Sequence, residues 1–220
     1  MSTYRIIKAG DSRSFPASHP FIEKADTNGA ARVFIGSEAG HAFAAAGPLD
    51  ACPFVAIELG TECLGVHTGE SRGQEGSNVV GFARFRLGRA EPSPLVELVR
   101  QPGTSETAIA AARAAFEAAG LKVAVCGDFP GRIVDRLIRP YLNAALRRLD
   151  EKLASADDLD TTLRLGLGYP EGPISLLERT GLAEHHDVTL ALYQALGQEA
   201  FAPARRAQVA KARATSGKAS

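Results

Sequence analysis

Two chemistries can be sought first: gripping a dinucleotide, and moving protons or attacking carbonyls with histidine, cysteine or carboxylate. A dinucleotide loop needs G-x-G-x-x-G between a first strand and helix, so that backbone amides approach the pyrophosphate, with an acidic residue about 20 positions on for the ribose. The nearest run, Gly36-Ser37-Glu38-Ala39-Gly40, lacks the middle glycine and has the wrong spacing. Gly10-Asp11-Ser12 reads as a turn only. His19, His41 and His67 fall in loops or near a helix start, and His185-His186 sits early in a helix over 182–196, one ring packing inward and the other facing solvent. Cys52, Cys63 and Cys126 form neither a disulfide framework nor a metal spacing. Cys63, in a turn after a strand, is a reactive thiol only if a cation stands beside it, and is otherwise a small buried hydrophobe.

The elements that must carry such groups are legible from patterning. Strands are predicted over 4–8, 32–35, 53–59, 79–85, 95–99 and 122–126. Residues 11–28 and 65–78 read as loops, the second glycine-rich. A short alanine-rich helix is predicted over 38–46, stopped by Gly47-Pro48. Thr104 or Ser105 caps a longer one that buries Ile109, Ala112 and Phe116 and ends at Gly120. Alternating strands and helices argue an α/β layer over 1–127. From Asp128 the pattern is helical to about residue 204, and the basic stretch 205–220 reads as a frayed, disordered tail.

Residues 130–182 are the most structured stretch of sequence. Ile133, Leu137, Tyr141, Ala145, Leu149 and Leu153 recur at helical spacing and predict a buried face, with a kink at Pro140. Ser155 caps the next helix with Asp158 as its capping-box partner, and Pro173 opens another after Gly172.

This stretch resembles the C-terminal helical domain of the 3-hydroxyacyl-CoA dehydrogenases. The family pattern runs roughly D-x-P-G-F-I-x-N-R-L-x-x-P-Y-L-N-E-A, then an acidic capped helix, then D-x-x-x-x-x-G-L-G-Y-P-x-G-P-x-x-L-L-D-x-x-G-L. In register stand Asp128, Pro130, Gly131, Arg136 and Pro140-Tyr141-Leu142-Asn143. Asp160, Gly166-Leu167-Gly168-Tyr169-Pro170, Gly172-Pro173, Leu176-Leu177 and Gly181-Leu182 follow. The resemblance covers residues 80 to about 201. It implies α/β plus all-α: an abbreviated Rossmann-like N-terminal sheet followed by a helical 3-hydroxyacyl-CoA dehydrogenase C-terminal domain.

The resemblance also implies a site. The family oxidises the 3-hydroxyl of an acyl-CoA with NAD, using a histidine base, a glutamate that orients it, and a serine and an asparagine around the reacting oxygen. The glutamate matches Glu97 in Leu95-Val96-Glu97-Leu98-Val99. The histidine position falls on Ala83 counting from Gly81, or on Phe85 counting back from Glu97, and neither accepts a proton. The serine becomes Glu62 and the asparagine Asp135. An ionised aspartate only accepts hydrogen bonds. Glu62, Glu97 and Asp135 could thus place three carboxylates in one cleft, where like charge would raise at least one pKa.

Formal net charge is zero, so there is no electrostatic case for nucleic acid or an anionic membrane. No apolar run approaches the roughly 20 residues of a membrane span, and the N-terminus lacks the layout of a secretion signal. The expectations are therefore a cytoplasmic homodimer, paired through its helical domain and holding an acyl-CoA-like molecule. It is catalytically impaired and without a cofactor, because the family's NAD motif is missing. The rivals are an active dehydrogenase with a rearranged NAD site and a non-catalytic partner subunit of a full-length dehydrogenase.

Overall fold

Six short runs rich in β-branched and aromatic residues pair into one sheet in the computed structural model, which describes residues 3–217. They are β1 (Tyr4–Lys8), β2 (Ala31–Ile35), β3 (Val55–Glu58), β4 (Val79–Arg84), β5 (Leu95–Arg100) and β6 (Lys122–Gly127). Their spatial order is their chain order, and every pairing is parallel except β4 with β5. The strands are buried on both faces, as parallel strands must be. Successive side chains therefore feed two cores. Ala56, Val80, Phe82, Val96 and Leu98 pack on one side with Phe15, Phe21 and Phe116. Phe34, Val55, Ile57, Val79 and Val99 pack on the other.

The connections are α1 (Pro20–Glu23), α2 (Ala39–Ala44), α3 (Gly65–Thr68) and α4 (Glu106–Ala118). Of these only α4 is long, and it buries Ile109, Ala112 and Phe116 as expected. Both expected loops carry one helical turn: α1 is capped by the His19 ring, and the Asp128 carboxylate receives the first amides of the α3 region. The expected strand over 53–59 shortens at both ends.

The chain divides into two compact units. The first reaches Arg86 and takes in Pro92–Ile133; the second takes in Leu87–Glu91 and the chain from Val134 on. This boundary lies six residues beyond the expected one at 127/128, because Asp128 and the turn after it bond back to the first unit's own loops.

The second unit is helical: α5 (Val134–Asp150), α6 (Ala156–Leu167), α7 (Pro173–Thr180), α8 (Leu182–Leu196) and α9 (Arg205–Ser216). Ser155 caps α6 through the Asp158 amide, and Pro173 opens α7, both as expected. Two expectations fail. Of the stripe predicted to be buried on α5, Ala145 is buried but Leu137 is 72% exposed, while Asp135, Arg139, Leu142, Asn143 and Leu146 face inward. Polar residues could take the core side because they bond to one another. The expected frayed tail is instead α9, with Ala204 and Ala207 buried and Arg205 and Lys211 paired to Asp150 and Asp187. Residues 218–220 of that tail lie outside the described residues. Among the described residues no helix is long and apolar enough to cross a membrane.

Candidate functional site

In the antiparallel β4–β5 ladder Ala83 stands directly across from Glu97. Strand alternation puts both on the Val79 and Val99 side of the sheet, away from α4. Ala83, one of the two countings of the histidine position, is thus the residue facing Glu97, and its methyl moves no proton.

Glu97 is 1% exposed. Its Oε1 accepts from the Ile133 amide at 2.8 Å, and its Oε2 lies 3.5 Å from Arg132 Nε. Arg132 is itself buried and donates through Nη2 to the Gly60 carbonyl at 2.7 Å. Its φ of +52° is a conformation that non-glycine residues avoid at a cost of order 1–3 kcal/mol. The neighbouring Gly131 amide bonds Thr61 O at 3.0 Å, and Asp128 accepts from the Leu64 and Gly65 amides at 2.6 and 2.7 Å. The 60–65 turn and the 128–133 turn are thus laced together, with Glu97 anchoring the last residue before α5.

Glu62 lies in that turn. Its Oε1 accepts from the Gly60 amide at 3.0 Å and stands 3.5 Å from His67 Nε2. Cys63 beside it has no activating cation. Burial, then the Asp128, Glu70 and Glu62 carboxylates, push its thiol above the usual range. Burial and then the Glu97 charge push Cys126 up to about 11. Both thiols stay protonated at neutral pH.

Asp135 belongs to a different network in the second unit. Its Oδ1 meets Arg139 Nε at 2.7 Å, one turn along α5. Arg139 Nη1 donates to His185 Nδ1 at 3.0 Å, and His185 Nε2 donates to Asn143 Oδ1 at 3.0 Å. Asn143 Nδ2 then holds the Ala200 and Ala202 carbonyls. Burial, then the Arg139 charge, lower the His185 pKa to about 3, so the ring is neutral. Of the three expected carboxylates, the structure ties Glu62 and Glu97 to one pair of turns. Asp135 has its own cation.

Two features of the strongest sequence pattern are architectural. Asp160 caps α7, accepting from the Ile174 and Ser175 amides at 2.8 and 2.9 Å. Gly172 is required there, since a Cβ would come within 2.2 Å of the Asp160 side chain. The fixed interval from aspartate to Gly172-Pro173 is therefore a folding constraint.

Whether the described residues fit a dinucleotide can be tested at the strand ends. In a doubly wound sheet the crevice forms where strand order reverses. Here the order runs without reversal. The Gly36 amide at the carboxyl end of β2 and the Ser14 amide in the loop after β1 could help cradle a pyrophosphate, but the buried Glu58 carboxylate occupies them, bonding Ser14 N at 2.6 Å and Gly36 N at 2.7 Å. The described residues do not form a cradle at this place.

Sequence reasoning missed Arg132 and Arg139. Signals for both were present. Arg132 stands at the phenylalanine of the family pattern, and Arg139 follows Asp135 by four residues, the spacing of a helical ion pair.

Comparison with known proteins agrees with this geometry. The family model "3-hydroxyacyl-CoA dehydrogenase, C-terminal domain" matches residues 131–220. Human mitochondrial hydroxyacyl-coenzyme A dehydrogenase is 42% identical over 88 residues, 40% of this chain and 28% of that protein. A probable 3-hydroxybutyryl-CoA dehydrogenase of Deinococcus radiodurans is 32% identical over 115 residues, 51% of this chain and 41% of its own length. The chain thus spans less than half the length of either relative. The crystal structure of an (S)-3-hydroxybutyryl-CoA dehydrogenase from Ralstonia eutropha superposes with a TM-score of 0.69 at 24% identity, over 84% of this chain and 66% of that one, and so shares the fold. These relatives are dehydrogenases, enzymes whose hydride chemistry is carried by a nicotinamide coenzyme. That overturns the expectation of a chain without a cofactor: the comparison points to NAD.

Proposed function

The chain belongs to the 3-hydroxyacyl-CoA dehydrogenase family, and from that premise we propose that it is a 3-hydroxyacyl-CoA dehydrogenase-type protein with an impaired proton-transfer step. It holds an acyl-CoA-like molecule, pairs as a homodimer through its helical unit, and has NAD as the coenzyme of any turnover.

One observation carries the impairment: Ala83 faces Glu97 across the ladder, and a permanently charged guanidinium answers the Glu97 carboxylate in place of an imidazole. A positioned base is worth about 10²–10⁴ in rate. Glu97 keeps its place because it holds the Ile133 amide and balances Arg132, so its retention does not require turnover. Pairing is supported by Leu137, Leu153, Leu165, Leu167 and Tyr169, exposed apolar side chains of the helical unit.

The test is NADH-dependent reduction of acetoacetyl-CoA by the whole chain and by Ala83→His/Arg132→Phe, with thermal shifts by acetoacetyl-CoA read alongside. Stabilisation by the CoA ester, slow turnover in the parent and a gain of about 10² or more in the variant are expected. Parent turnover at the roughly 10⁴–10⁸ M⁻¹s⁻¹ common to enzymes would overturn the impairment. Leu165→Glu, with mass read by light scattering, tests the pairing.

A further inference from the structure

One surface of the helical unit has a chemistry that the dehydrogenase reading does not use. Helices α5, α7, α8 and α9 enclose a cavity of about 240 Å³. Its apolar lining comes from Leu146, Leu149, Ile174, Leu182 and Val209. Its charged lining is Arg205, Arg206 and Arg213, against a single acid, Glu178.

The ion pairing around this cavity leaves cation in excess. Arg205 and Arg206 both reach the same oxygen, Asp150 Oδ1, at 2.6 and 2.8 Å. Arg213 makes no ion pair among the described residues, although it sits one helical face away on α9. Three guanidiniums therefore meet two carboxylates, Asp150 and Glu178, and the surplus charge borders an apolar lining. The remaining uncovered aliphatic surface, Val209 at 45% exposure, lies on the same helix as the arginines.

We propose that this cavity binds a medium-chain aliphatic anion, with the chain against Leu146, Leu149, Ile174, Leu182 and Val209 and a carboxylate head on Arg213. Guanidinium is the side chain best matched to a carboxylate, through paired N–H donors. A cavity of about 240 Å³ with this apolar lining has room for an aliphatic chain of medium length. The apolar body supplies the affinity and the head fixes the direction of entry. Because Arg213 is exposed, the head contact weakens with salt. The inference stands apart from the dehydrogenase reading and does not need it.

The experiment is calorimetric titration of the whole chain with sodium octanoate, with butyrate and 1-octanol as controls for the chain and the charge. Octanoate is expected to bind at least about tenfold more tightly than either control, the scale of one charge-assisted contact or a few buried methylenes. Arg213→Ala should lose about tenfold, and Glu178→Gln, which removes the opposing carboxylate, should tighten binding. Val209→Asp should abolish it while leaving the melting temperature unchanged, since that side chain is partly exposed on the surface of α9. Equal affinity for 1-octanol would overturn the anionic head. Absence of octanoate binding, or three variants that all bind like the parent, would overturn the site.

Discussion

The two units treat buried charge differently. In the helical unit Asp135, Arg139, His185 and Asn143 form one unbroken chain of hydrogen bonds, and Asp160 spends its carboxylate on the first amides of α7. In the sheet unit Glu97 is as deeply buried, but its partner Arg132 stands 3.5 Å off in a left-handed backbone conformation. The first is a connected network, though Arg139 Nη2 is buried without a partner, and connected buried networks favour a unique core. The second is a carboxylate held by a backbone amide and a more distant guanidinium. A buried carboxylate can thus be held by a connected side-chain network or by a backbone amide with a cation farther off.

The largest test of the contrast is Arg139→Met. It strands Asp135 inside the helical unit and should cost about 3–5 kcal/mol by chemical denaturation, most of it recovered in Asp135→Asn/Arg139→Met. A cost below about 1 kcal/mol would mean the network is not the unit's framework.

Next in size is pH. His185 is neutral in the folded chain with a pKa lowered to about 3 from its usual 6.5. The unfolded chain therefore binds the extra proton first, and stability is complete above about 6.5 and is lost as pH falls toward 3, by about 1.4 kcal/mol per pH unit. At pH 4.5 the loss from this ring amounts to about 3 kcal/mol. The same titration of His185→Gln should show a shallower decline, and an unchanged slope would remove His185 from the account.

Gly172→Ala probes the close approach at the α7 cap. The added methyl meets the Asp160 side chain at 2.2 Å, and about 2 kcal/mol should be lost without any change in acetoacetyl-CoA binding. The smallest effect belongs to Ser155→Ala, which removes the hydroxyl that accepts from the Asp158 amide on an exposed helix start and should lower stability by about 1 kcal/mol.

How much of this was legible beforehand varies with the range of the interaction. Strands β1, β5 and β6, helix α4, the Ser155 cap and Pro173 at the head of α7 were each read to within a residue or two, because they rest on local alternation, caps and breakers. The altered base position was also visible in the sequence, but as two countings. The pairing of β4 with β5 shows which of them, Ala83, faces Glu97. The α5 stripe misled, because periodicity marks which residues share a face and does not say which face turns inward. Leu137 and Leu153 line the exposed one while Asp135, Arg139 and Asn143 take the core. The basic end was read as solvated tail because its charges mask Ala204 and Ala207, the small residues on which α9 packs.

The sequence by itself determined the elements, the order of sheet then helices, and the family pattern from Asp128 to Leu182, all of which depend on neighbours within a few turns. The tertiary structure alone decided which distant groups became partners: Glu97 with Arg132, and Glu58 with the backbone amides of Ser14 and Gly36. A buried charge must find a mate wherever the fold supplies one, and for Glu97 and Glu58 those mates lie 22 to 44 positions away along the chain, where no local rule reaches.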